Sequence, residues 1–346
     1  SRLHEEETRK MWQIAWPGVP PGQVPITHVT NGVHVPTWIA YEFVLLFEKY
    51  LGKDWLKAQD DVDLWKRVLD IPDGEIWEIH RSLKGRLIEV ILERAQKRWA
   101  DGEVTAQQVV TMGALLNPQV LTIGFSRRFT EYKRPALILH DVDRLKRIIN
   151  NPWQPVQIVF AGKSHPADFS GKYLLHRIYT LAQDRSFQGR IAFVEDYDMH
   201  MARYLTHGID VWLNTPYRLQ EASGTSGMKA AINGVLNLSV RDGWWWEGYN
   251  GQNGWAIGRD VDYDNPDMQD EVDAESLYDQ LENEIVPLYY HVRSSDGLPG
   301  EWIARIKASI RSIAPQFSTR RMVKEYLERM YLPALQAGEP LQEMAE

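Results

Sequence analysis

The chain of 346 residues contains no cysteine. That excludes disulfides, thiolate metal sites and a cysteine nucleophile, and it is compatible with a cytoplasmic protein. Long apolar runs are missing too. The stretch around Val44–Phe47 falls far short of the ~18 residues that a membrane span would need. No apolar segment follows the charged Ser1–Lys10, so no cleavable signal is expected there. An excess of positive charge is absent: 39 Lys and Arg against 47 Asp and Glu leave a net charge of −8, which argues against a protein that tracks nucleic-acid phosphates. No P-loop lysine motif, G-x-S-x-G elbow or H-E-x-x-H pair occurs.

What is present is an ordinary globular composition, 44% hydrophobic and 25% charged. The length suits one large domain or two modest ones. Tryptophan is abundant at 14 residues. Indole faces stack on sugars but also fill cores and interfaces, and composition alone favours the core.

Residues 1–16 read as a charged helical segment closed by the breaker Pro17-Gly18-Val19-Pro20-Pro21-Gly22. Ile76, Ile79, Leu83, Leu87, Val90 and Ile91 recur at helical spacing and predict a long helix to about Trp99. From Val120 the pattern changes. Short β-rich runs at Val120–Phe125, Val156–Ala161, Ile191–Val194, Ile209–Leu213 and Val235–Val240 alternate with helical stretches near Pro135–Ile149, Tyr173–Gln183, Met199–Leu205 and Met228–Ile232. This alternation predicts an α/β fold, a doubly wound, mostly parallel Rossmann-like sheet. Thr319–Leu332 reads as one more amphipathic helix, with Met322, Val323, Tyr326, Leu327 and Met330 on one stripe.

Open α/β sheets bind ligands beyond the C-terminal ends of their strands. Arg127, Arg128 and Lys133 follow the first strand, Gly162-Lys163 the second, Glu195-Asp196-Tyr197 the third, and Asn214 and Glu221–Lys229 the fourth. Polar and basic residues therefore gather at one sheet edge. In Glu221–Lys229, Gly224 and Gly227 allow close backbone approach, and Ser223, Thr225 and Ser226 add hydroxyls. A helix starting near Met228 would favour an anion at its N-terminus, and Lys229 there could form a Schiff base if its pKa is lowered. A plain capping turn with a solvated lysine fits the same residues. In Arg127-Arg128…Lys133-Arg134, four cations past a buried strand suit phosphate, as they suit a solvated loop paired with acids. His28 and His34 have no carboxylate or cysteine at ligand spacing and read as ordinary hydrogen-bonded histidines. In Trp244-Trp245-Trp246 the three rings fan apart, so some line a groove or an interface, with sugar stacking or packing as their role.

Taken together, Thr30-Asn31-Gly32, Arg128…Glu131-Tyr132-Lys133-Arg134 and Glu221-Ala222-Ser223-Gly224-Thr225…Met228-Lys229 resemble the glycogen and α-glucan phosphorylases. The short prokaryotic branch is the nearer, through Asp242-Gly243-Trp244-Trp245 and Asn253-Gly254-Trp255-Ala256-Ile257-Gly258. The resemblance runs over nearly the whole chain. It implies the C-terminal domain of the two-domain GT-B architecture. Residues 1–29 would be the end of the N-terminal domain and a linker, 30–318 the cofactor and phosphate domain, and 319–346 a helix crossing back.

It also implies roles. Lys229 would form the Schiff base with pyridoxal 5'-phosphate, and Thr225, Gly224, Tyr197, Trp38 and Lys163 would surround that cofactor. Arg128 and Lys133 would bind inorganic phosphate, and Asn31, Glu221, Ser223 and Gly224 would bind the glucosyl hydroxyls. The reaction would be reversible phosphorolysis of α-1,4-glucan to glucose 1-phosphate with retention, in the cytoplasm and without nucleic acid or membrane. Ser226-Gly227 stands where animal enzymes have Gly-Asn. The family's N-terminal half supplies a glycine-rich loop, a histidine and most of the glucan surface, and these have no counterpart before Thr30. A half without them is expected to be inactive unless its missing part or another subunit joins it. A nucleotide-sugar glucosyltransferase of the same architecture, or a non-catalytic carbohydrate-binding remnant, is the alternative.

Overall fold

The computed structural model describes residues 1–291 and 294–338. Six strands form one sheet: β1 (Leu121–Ser126), β2 (Val156–Ala161), β3 (Ile191–Val194), β4 (Val211–Asn214), β5 (Leu236–Val240) and β6 (Gly254–Ile257). Their order is β3-β2-β1-β4-β5-β6, and every pairing is parallel. The protein is thus a doubly wound α/β fold, as the alternation predicts. Helices cover both faces, which is why β1 to β5 are buried along their whole length and read as apolar runs rather than as alternation. β6, at the edge, was not expected from the sequence. The expected Pro135–Ile149 helix is two pieces, a 3-10 turn at Leu137–Leu139 and a helix at Val142–Ile149. Asp141 separates them by accepting a capping bond from the Arg144 amide.

The chain reverses direction across the sheet between β1 and β4, so a crevice opens where these neighbours end. The opposite edge is locked by one buried carboxylate. Asp210, just before β4, lies 2.8 Å from His80 Nε2 and accepts from the Thr122 amide at 2.7 Å and from Lys84. His80 and Lys84 sit one turn apart on the Asp73–Ala100 helix. Burial alone would raise the Asp210 carboxyl, but Lys84 and His80 outweigh it and hold the group below its ordinary range.

Two segments far apart in sequence, around Val33 and Ser318, meet beside the sheet. Val33 N donates to Phe317 O at 2.8 Å and Thr319 N to Val33 O at 2.9 Å. Gly32 permits this approach, since a Cβ there would lie 2.3 Å from Ser318 O. The final helical stretch runs from Thr319 to Gly338, with residues 339–346 of the expected crossing helix outside the described residues. No residue of Thr319–Tyr326 is buried. Val323, Leu327, Tyr331 and Leu335 are 46–68% exposed and form an open apolar stripe. No helix among the described residues is long and apolar enough to cross a membrane.

Asp210→Ala strands a buried lysine and histidine. Breaking such a pair costs about 3–5 kcal/mol, and chemical denaturation should read a loss of this size.

Candidate active site

A cavity of about 450 Å³ opens at the ends of β1 and β4. It is lined by Arg127, Arg128 and Lys133 from the segment after β1, by Glu221, Gly224 and Thr225 from the turn after β4, and by His165 and Asp168 after β2. Two basic and acidic clusters distant in sequence therefore share one space.

The four cations after β1 have different fates. Arg134 is buried in the left-handed conformation, φ 43°. It donates to Thr215 O and Pro216 O, each at 2.9 Å, pairs with Asp270 at 2.8 Å and also with Asp273. It bolts the two loops together and is unavailable to a ligand. Thr215 Oγ1 adds a bond to Lys133 O at 3.0 Å, and Tyr217 N one to Tyr132 O at 2.8 Å. Arg127, also buried, contacts Asn214 Oδ1 and lies 2.9 Å from Glu221 Oε2. Lys133 Nζ is 2.9 Å from the same oxygen. Arg128 is exposed at the cavity and has no ion pair among the described residues.

Glu221 is thus a buried carboxylate held by two cations. Burial would raise its carboxyl, but the charges of Arg127 and Lys133 outweigh this and hold it below the usual range. Behind it, Asp242 Oδ2 accepts from the Glu221 amide at 2.9 Å. No cation pairs with Asp242 among the described residues, and burial pushes its carboxyl up to about 6.

Lys229 lies one turn beyond Thr225, on the Ser226–Ala231 helix, and its amide donates to Thr225 O at 3.2 Å. Its ammonium sits 3.7 Å above the centre of the Trp38 ring. No carboxylate pairs with it among the described residues, and burial alone lowers its pKa. Two side chains fix this arrangement. Asn233 Nδ2 donates at 2.8 Å both to Trp38 O and to Lys229 O. His207 Nε2 donates to Trp38 O at 2.8 Å, and burial pulls the His207 ring down to about 4.

The other expected residues are placed less centrally. Ser223 is buried, and its hydroxyl donates to Gly224 O at 3.1 Å. Tyr197 packs on the apolar cluster that contains Trp212 and Ala230. Lys163 is exposed, and its carbonyl accepts from the Phe129 amide at 3.0 Å. Asn31 is exposed, with its carbonyl 3.1 Å from Arg321 Nη2. None of these four lines the cavity. His28 contacts Glu5, and His34 lies 2.7 Å from Thr37 Oγ1. Trp244 and Trp245 are core residues, and the Trp246 ring meets the guanidinium groups of both Arg218 and Arg241. Arg127, Asn233 and Asp242 carry no sequence signal that separates them from their neighbours, because their parts depend on burial.

A family model described as carbohydrate phosphorylase matches residues 19–247. The chain belongs to the carbohydrate phosphorylase family. It is 50% identical over 331 residues to a glycogen phosphorylase of Aquifex aeolicus, covering 96% of this chain and 47% of that protein. It is 46% identical over 335 residues to a maltodextrin phosphorylase of Thermococcus litoralis (97% and 39%), and 40% identical over 337 residues to a glycogen phosphorylase of Mycobacterium tuberculosis (97% and 39%). The chain spans less than half the length of each of these relatives. Within this phosphorylase-family chain, the matched region holds both the cation-lined cavity and the Trp38–Lys229 pair.

Two outcomes follow from the charges. Glu221→Gln frees Arg127 and Lys133 from their carboxylate, so inorganic phosphate should raise the variant's melting temperature more than that of the unaltered chain. The depressed ionisation of His207 means that the unfolded chain takes up the proton first. Stability from the neutral ring is present above about pH 6.5 and is lost as the pH falls toward 4. An NMR titration should find the His207 ring neutral down to about pH 4.

Proposed function

We propose that this chain is the cofactor- and phosphate-binding part of an α-glucan phosphorylase, and that its site takes pyridoxal phosphate, inorganic phosphate and a terminal glucosyl unit. One juxtaposition carries the proposal: a lysine ammonium with no counter-ion among the described residues rests on an indole one helical turn from a cavity lined by cations. A cation left unpaired at a half-buried site needs a reason, and a lowered pKa makes Nζ available as a nucleophile toward an aldehyde.

The residues fit the cofactor. Ser126, at the end of β1, lines the cavity, and its buried hydroxyl has no hydrogen-bond partner among the described residues. The Thr225 side chain makes no capping bond to the helix it precedes. The Thr225 hydroxyl would meet a phosphate oxygen, and the Ser126 hydroxyl is an uncommitted donor in the cavity wall. Lys229 would be the attachment point, with Trp38 packed against it and Gly224, Thr225, Tyr197 and Lys163 around it. When bound, the cofactor supplies a phosphate group that acts as an acid and base toward the substrate phosphate.

The chain's own residues bind and orient. Arg128 and Lys133 hold the substrate phosphate and offset the repulsion between two anionic groups. Glu221, Ser223, Gly224 and Asn31 address the glucosyl hydroxyls. Held on the leaving-group face, the substrate phosphate gives its proton to the glycosidic oxygen as the C–O bond breaks. It then bonds to the anomeric carbon from that same face, yielding glucose 1-phosphate and a glucan one unit shorter, with configuration retained. The exposed stripe Val323, Leu327, Tyr331 and Leu335 is where a further domain would pack. Such a domain would supply the rest of the glucan surface, so the chain alone is inactive in phosphorolysis.

Incubation with pyridoxal phosphate, borohydride reduction and peptide mapping tests this function. The expected label lies on Lys229 and disappears in Lys229→Ala. A folded chain labelled elsewhere, or one that binds UDP- or ADP-glucose tightly instead, would contradict it.

A further inference from the structure

Asp242 follows β5 and is 2% exposed, yet it touches no cation among the described residues. An unpaired buried carboxylate is costly, so its surroundings must supply donors. They are backbone amides, one from the facing turn and one from its own: Glu221 N at 2.9 Å on Oδ2 and Gly243 N at 2.7 Å on Oδ1. Leu219, at the start of the facing turn, is held at φ 71°, a conformation that a leucine rarely adopts. The next residues close the clamp. Trp244 N donates to Ser223 O at 2.8 Å. Gly243 lies so close that a Cβ would stand 2.3 Å from Ser223 O, at φ 53°. Residues 219–223 are therefore gripped by 242–244 through two direct hydrogen bonds and the close Gly243 contact.

This turn carries Glu221 on one side and leads into Gly224 and Thr225 on the other. We propose that Asp242 is a positioning residue for the sugar-phosphate site: it fixes the 219–223 turn so that the Glu221 carboxylate stays between Arg127 and Lys133 while Gly224 and Thr225 line the cavity. It rests on the function proposed above in that its ligand is glucose 1-phosphate. Asp242 itself touches neither sugar nor phosphate. Its two oxygens each receive amides, and an asparagine would turn an NH₂ group toward one of them. The isosteric Asp242→Asn therefore loses the turn's register while also losing a buried charge. An aligning role predicts local disorder without a matching fall in global stability.

The test compares the unaltered chain with Asp242→Asn and Asp242→Glu. Amide hydrogen exchange is read across residues 219–224, melting temperatures are recorded, and calorimetry measures glucose 1-phosphate and inorganic phosphate separately. In the unaltered chain the Glu221 amide is protected. In Asp242→Asn, exchange over 219–224 rises about tenfold or more, the melting temperature moves little, and glucose 1-phosphate binds about tenfold more weakly, the equivalent of about 1.4 kcal/mol. Inorganic phosphate, which needs only the cations, changes by less than about threefold by the same scale. Asp242→Glu, which keeps a carboxylate, recovers part of the sugar-phosphate affinity. Unchanged exchange in Asp242→Asn, or equal losses of both ligands together with a large drop in melting temperature, would overturn the proposal. If the unaltered chain binds neither ligand, the assigned function fails, and the exchange measurement still decides whether Asp242 holds the turn. If Asp242→Asn does not fold, an unprotected Glu221 amide in the unaltered chain overturns it and a protected one supports it.

Discussion

The carboxylate of Glu221, buried between Arg127 and Lys133, is the constraint around which the site is arranged. Removing three charges from water is expensive, and the arrangement persists only because the charges compensate one another at 2.9 Å. Arg127 comes from the end of β1, Glu221 from beyond β4, and Asn214 of β4 itself completes the contact. The pairing thus spans the point where the sheet reverses direction. It leaves a cavity whose cations face an internal anion, the resting state expected if the site receives phosphate as proposed.

Everything nearby serves to hold that geometry rigid. Arg134 spends its guanidinium on Asp270, Asp273 and two carbonyls, and so ties the β1 loop to the β4 loop. Asn233 and His207 converge on the Trp38 carbonyl and present its ring to Lys229. The sheet beneath is buried on both faces, and Asp210 fastens its far edge to the Asp73–Ala100 helix. Side chains locked on a rigid scaffold, as Arg134 and Glu221 are, suit a site that would have to keep two phosphates aligned.

The strands of this fold were legible because a sheet covered on both faces needs continuous apolar runs, and five such runs stand out. β6 escaped notice because Gly254-Trp255-Ala256-Ile257 is short and follows a glycine-rich turn. Within the site, the glycines, hydroxyls and lysine of Glu221–Lys229 fitted a ligand turn and a plain capping turn alike. The sequence also placed Arg128 and Lys133 at the right strand end. Burial was what it could not show. Adjacent arginines differ completely in environment: Arg127 is buried with Glu221, while Arg128 is open to the cavity. Asp242 looked like part of a tryptophan-rich segment, and only its amide partners reveal its relation to Glu221. The stripe on the last helix was read correctly as amphipathic, yet none of its residues is fully buried.

The chain spans less than half the length of these relatives and contains both the cation-lined cavity and the Lys229–Trp38 pair. In the proposed function these two features form one site for adjacent phosphates. A crystal structure of the chain soaked with pyridoxal phosphate and inorganic phosphate is the sharpest test of that adjacency. Continuous density is expected from Lys229 Nζ to the cofactor, with a phosphate between Arg128 and Lys133 and Glu221 displaced from at least one cation. Phosphate bound elsewhere, with the Lys229 ammonium still resting bare on Trp38, would contradict it.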